Sequence, residues 1–129
     1  MGVRDYQRLT VWQTADALIP MVYSVARQLP NDERFGLASQ LKRAAVSIAS
    51  NIAEGSGRSS DADFERFLSI AAGSASEVEY QLGLVTRMWP STLGIDGARH
   101  HVNQVKRMLW SLMETSKQER STRRPATEI

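Results

Sequence analysis

Cysteine is absent from the 129 residues. That removes disulfides, thiolate metal sites and cysteine nucleophiles together, and it is compatible with a reducing compartment. No stretch approaches the uninterrupted apolar run of a membrane span, and the N-terminus has no basic, apolar and cleavage regions of a signal peptide, so a cytoplasmic protein is expected. There is no run of strictly alternating polarity to suggest a sheet, no low-complexity tract and no sequence repeat. What remains is 42% hydrophobic and 23% charged, the balance of a soluble globular chain of one domain.

The least charged part of that domain is its organising segment. From Leu37 to Ala53 the only charges are Lys42 and Arg43. On a helical wheel Leu37, Leu41, Ala44, Ala45, Ile48 and Ile52 form one apolar stripe. Beside it runs a polar stripe of Gln40, Arg43, Ser47, Asn51 and Glu54, whose members are within reach of one another along the helix. The remaining side carries Ala38, Val46, Ala49, Ser50 and Ala53, small where an exposed helix would show Lys and Glu. Contacts on more than one side follow, to the subunit's own core and to another subunit.

Around this segment the spacings predict three further helices. Trp12, Ala15, Ile19, Val22, Ala26 and Leu29 make a seam through about residues 8–29, with Pro20 inside one bent helix. Asn31, Asp32 and Glu33 suit the start of the second helix, about 32–55, and Gly55 and Gly57 suit a left-handed turn at its end. Ser60 caps a third, about 61–89, whose seam of Phe64, Leu68, Ala71, Ala75, Val78, Leu82, Val85 and Trp89 is unbroken. Off that seam, Ile70, Leu84 and Met88 share a stripe with Glu77. Asp96 is a candidate cap for the fourth, about 97–115, with Ala98, Val102, Val105, Leu109 and Leu112 as its seam. Residues 116–129 read as a flexible basic tail. Four helices with short connections predict an all-α, up-down-up-down antiparallel four-helix bundle.

Chemistry has little to work with. The serines have no base nearby, since His100 and His101 are adjacent and point about 100° apart. A metal site in a bundle core wants a Glu-x-x-His pair, which does not occur. Glu54-Gly55-Ser56-Gly57-Arg58 lacks the lysine and spacing of a nucleotide loop. No catalytic residue, cofactor or metal is expected. The charge is uneven, however: residues 99–124 carry net +5 while the whole chain carries +2. Arg99, Lys106, Arg107, Lys117, Arg120, Arg123 and Arg124 are therefore candidate phosphate contacts for RNA or DNA, the alternative being a solvated helix face and a basic tail.

The ordered string Leu9-x-x-Trp12-Gln13, Leu29-Pro30, Glu33-x-Phe35-Gly36-Leu37, Gln40, Arg43-Ala44-Ala45-x-Ser47-Ile48, Asn51-Ile52-Ala53-Glu54-Gly55-x-Gly57-Arg58 resembles the four-helix bundle proteins of the 23S ribosomal RNA intervening-sequence family. It continues through Phe64, Phe67, Leu68, Ala71, Gly73, Ser74 and Glu77 and spans roughly residues 8–90. The resemblance implies a homo-oligomeric ring, with homopentamers known for relatives. It also implies a likeness to the accessory variability protein of diversity-generating retroelements, a basic pentamer that binds nucleic acid and a reverse transcriptase.

The expectation is thus a non-enzymatic homo-oligomer that binds RNA or DNA weakly through helix four and the tail. Gln40, Arg43, Ser47, Asn51, Glu54 and Glu77 are assigned to structure at or near a subunit contact. The alternative is a protein-interaction scaffold with no nucleic-acid role, presenting helix ends to a protein partner.

Overall fold

Apolar residues spaced three and four apart can be buried together only on a helix, and the computed structural model, which describes residues 4–123, forms four. They are α1 (Thr10–Arg27), α2 (Leu37–Ser56), α3 (Asp61–Met88) and α4 (Ile95–Thr122). Among the described residues there is no strand, and no helix is long and apolar enough to cross a membrane. Each helix packs on the next in the chain, and α4 packs back on α1.

The bundle interior is built from the seams. Leu18, Val22, Leu41, Ile48, Ile52, Phe64, Leu68, Val78, Leu82, Val85, Val102, Val105 and Leu109 are fully buried, each burial contributing about 1.5–3 kcal/mol. On α1 the buried side is turned slightly from expectation. Val11, Leu18 and Val25 are inside, while Trp12 and Ile19 pack half-buried at the rim. Pro20 lies within α1 without ending it.

Helix boundaries are where local reading and structure part. Residues Asn31–Glu33 form a one-turn 3-10 helix, and α2 starts at Leu37 instead of 32. The Glu33 carboxylate reaches forward to accept from the Leu37 backbone N–H at 3.3 Å, so the acidic turn serves α2 from outside it. Gly94, not Asp96, precedes α4. Its φ of +80° is the left-handed conformation that a side chain would strain, and Asp96 sits in the first turn of the helix. Ser60 does cap α3, accepting from the Asp63 N–H at 3.1 Å. The largest difference is at the far end. Residues 116–122, expected as flexible tail, continue α4 as helix, and Ser116 is buried. Residues 124–129, including Arg124, lie outside the described residues.

The glycines that end α2 also have a different purpose. Gly57 is right-handed, with φ of −81°, and no left-handed turn forms there. Gly55 instead lets α3 come close, because a Cβ on it would stand 2.7 Å from Phe67 Cβ and 3.4 Å from Phe64 Cδ1. A Cβ on Gly83, within α3, would meet nothing within 4 Å.

Gly55→Ala is therefore expected to destabilise by about 1–2 kcal/mol despite alanine's better helix propensity, because Phe67 Cβ is too near the backbone to move cheaply. Gly83→Ala, in open space, should gain about 0.5–1 kcal/mol. Urea unfolding of both variants checks the pair. Equal gains would show that α2 and α3 have room to separate at Gly55.

Candidate nucleic-acid interface

Helical spacing gives α4 a polar stripe on its outer flank, beside α3. Arg99, Asn103, Lys106, Arg107, Trp110, Glu114 and Lys117 fall within it at steps of three, four and seven. Over 18 residues the stripe runs about 27 Å. Arg99, Arg107 and Lys117 are exposed. Lys106 is half-buried and donates to Glu79 on α3 at 2.6 Å, and Lys117 Nζ lies 3.8 Å from Glu114. An Arg99 guanidinium nitrogen donates to the Thr86 hydroxyl at 3.4 Å.

The two arginines nearest the C-terminal end of α4 are engaged differently. Glu65, in the second turn of α3, is 7% exposed. Its carboxylate accepts two hydrogen bonds from Arg120, at 2.7 and 3.2 Å, and one from the Ser116 hydroxyl at 2.8 Å. One turn earlier Asp61, also 7% exposed, pairs with Arg123 and, at 3.1 Å, with Arg4. Arg4 stacks on the Phe64 ring, 3.8 Å from its centroid, and its backbone N–H donates to Ser56 O at 2.9 Å. These contacts explain why α4 continues past residue 115. Two carboxylates out of water need cations at their own depth, and only a helical 116–123 brings Ser116, Arg120 and Arg123 to them.

The Arg120 hydrogen bonds are the main cause holding the Glu65 carboxyl below glutamate's ordinary value of 4.5, against the burial that pushes it up. Ser116 and the charges of Arg120 and Lys117 act in the same direction, and the same bond raises the Arg120 guanidinium.

The stripe assigned to a subunit contact lines the junction of α2 and α3. Gln40, Arg43, Ser47 and Glu77, with Ala44 and Ser74, surround a depression of about 230 Å³. The Ser47 and Ser74 hydroxyls meet at 2.9 Å, and Asn51 donates to the Ser47 carbonyl at 2.8 Å and its hydroxyl at 3.0 Å. Arg43 and Glu54 are exposed and do not meet. Arg43 donates to Ser39 at 3.1 Å and Glu54 accepts from Arg58 at 3.0 Å. Glu77 accepts from buried Gln81 at 3.3 Å. Ile70 is 42% exposed on the same side of α3, with Met88 further along.

Of the histidines, His100 is exposed, whereas His101 is half-buried and its ring nitrogen meets the Thr14 carbonyl at 2.8 Å, tying α4 to α1. Among the described residues no cluster of His, Asp and Glu is placed to hold a metal.

Trp110 escaped the sequence reading, which followed seams and charges. It is 65% exposed, while Trp12 and Trp89 are half-buried against the core. Its position off the seam, between Lys106-Arg107 and Lys117, was the available signal.

Four helices around one apolar interior, with a polar junction on one side and a basic stripe on another, define a small all-α bundle protein. The chain belongs to the 23S rRNA-intervening sequence protein family, whose pattern matches residues 7–111. It is similar to a crystal structure of a protein of unknown function from the S23 ribosomal protein family of Bacteroides thetaiotaomicron. The two are 26% identical with a TM-score of 0.73, over 81% of this chain and 98% of that chain. Neither description names an enzymatic activity. No curated protein matches the chain.

A carboxylate with a lowered folded-state pKa stabilises the fold fully above its unfolded value, and that contribution is lost as pH falls through the folded one. The stability difference between the native protein and Glu65→Gln should thus be constant from neutral pH down to about 5 and close progressively below 4.5. Urea unfolding across a pH series measures it. A difference that persists unchanged at pH 2 would mean that Glu65 is not the titrating group.

Proposed function

We propose that this protein is a non-enzymatic, self-associating bundle that binds RNA or DNA weakly through phosphate contacts from the outer face of α4. The observation that carries this reading is the placement of Arg99, Arg107 and Lys117 as exposed cations along one side of α4, on the half of the chain that holds the positive charge. The phosphate-contacting surface is the middle of α4 more than its end, because Arg120 and Arg123 already neutralise Glu65 and Asp61. The order of partners between α3 and α4 is in keeping with an up-down-up-down course. Going along α3 from Glu65 through Glu79 to Thr86, the α4 partners run backwards from Arg120 through Lys106 to Arg99.

Self-association rests on the α2–α3 side. Exposed Ile70 and Met88 lie on the α3 stripe of Glu77, one on each side of the shallow polar junction along the helix, and offer apolar area for a second copy of the chain. A scaffold that engages a protein partner is the second reading. It is favoured by Phe35 and Leu93, which are both strongly exposed, on the connections at the end of the bundle where Gln28 bonds the Leu93 backbone.

Binding to fluorescent RNA and DNA should weaken linearly with log salt, and Arg107→Ala should reduce the slope by about 0.9 for the one phosphate contact it removes. Arg120→Ala should lower stability before it changes that slope. No binding at low salt leaves the scaffold reading. Separately, sedimentation of the native chain should give a mass above the 14.4 kDa of one copy, and Ile70→Glu should return it to one copy with unchanged helix content. A native chain that sediments as a monomer would overturn the assembly.

A further inference from the structure

We propose that Trp110 is a stacking platform for an unpaired base, so that the α4 face selects single-stranded over double-stranded nucleic acid. This rests on the phosphate-binding reading above and adds the class of strand to it.

A 65% exposed tryptophan on a helix whose seam is already complete contributes little to the fold. At its level the interior is filled by Val105 and Leu109, both fully buried. Its neighbours by helical spacing are Lys106, Arg107 and Lys117, three cations within two turns. Across the α3–α4 junction the register is set by Lys106 with Glu79 and Ser116 with Glu65. That register places Trp110 level with the run Ala71-Ala72-Gly73-Ser74-Ala75-Ser76. On the α3 flank that meets α4, marked by Glu65 and Glu79, the residues at this level are Ala72 and Ser76, both small. No bulky α3 side chain stands at this level, so the indole has room for a planar ligand.

The chemistry such a surface recognises is a flat ring joined to negative charge. A base presents its face to the indole, and its phosphates on either side meet Arg107 and Lys117, which lie on opposite flanks of Trp110. A duplex keeps its bases stacked on one another and offers phosphates only, so it gains from the cations and not from Trp110. The stripe's length of about 27 Å accommodates several nucleotides. Glu114 lies in the same stripe, 3.8 Å from Lys117, and limits the charge, consistent with an aromatic contact carrying part of the affinity.

The test uses the full chain with fluorescent oligo(dT) and oligo(U), and a mixed-sequence duplex of equal length, over a salt series. Trp110→Ala should weaken single-strand binding about 5- to 100-fold while leaving the duplex unchanged, and Trp110→Phe should restore most of the loss. The indole emission should be quenched by oligo(dT), and that quenching should be missing in Trp110→Phe. Circular dichroism of both variants should match the native chain, since the side chain lies outside the core. Equal single-strand affinity for the native chain and Trp110→Ala, with Arg107→Ala weakening both ligands, would overturn stacking and keep phosphate binding. Absence of binding to either ligand at low salt would overturn both readings. A Trp110→Ala chain that changes sedimentation mass instead would make this face a contact between copies, and would also overturn the proposal.

Discussion

Asp61 and Glu65 sit in the first two turns of α3 with almost no exposure, and much of the molecule's outline answers to that fact. A buried carboxylate without a cation is destabilising by several kcal/mol. Three arginines from the two ends of the described chain supply the charge. Arg4 comes from the lead-in, Arg120 and Arg123 from the last turns of α4. The same pairs hold the lead-in over Phe64 and extend α4 nearly three turns beyond Leu112, the last residue of its apolar seam. Once acid protonates Glu65, its tie to Arg120 loses its charge complement, and residues 116–123 carry no apolar side chain to replace it.

A second constraint acts through absence of side chain. Where α2 ends against the start of α3, Gly55 removes the atom that would collide with Phe67. Phe67 is then flanked by the guanidinium groups of Arg58 and Arg66, 4.8 and 4.5 Å from its ring centroid. Close packing and cation–π contact reinforce one another at this corner. Further along the same pair of helices Ser47 and Ser74 meet directly, so the junction is polar at its rim and apolar beneath.

Charge left over after folding decides what the surface offers. Arg120, Arg123 and Lys106 have carboxylate partners on α3, which moves the available positive charge toward Arg99 and Arg107, with exposed Lys117 shared with Glu114. There it coincides with the one tryptophan that the core does not use. The α2–α3 side is different in character, with exposed Ile70 beside serine, asparagine and glutamine, a surface better matched to protein than to phosphate.

Much of the bundle was legible in the chain because a helical seam is a local property. The α3 seam from Phe64 to Val85 and the α2 stripe from Leu41 to Ile52 are buried as their spacing requires, and the Ser60 cap needs only a neighbour three residues away. The extent of α4 was not legible. Its last turns have no apolar period and are held by Glu65, 51 and 55 residues distant from Ser116 and Arg120. Periodicity says which side of a helix is buried but not how far one helix slides along another. That sliding pairs Lys106 with Glu79, gives Gly55 its close neighbour and leaves Trp110 in the open. Sequence alone determined the helices and their apolar faces, since those follow from residues three and four apart. The partners of the charged residues were decided only in the tertiary structure, because they depend on contacts between segments that local spacing does not connect.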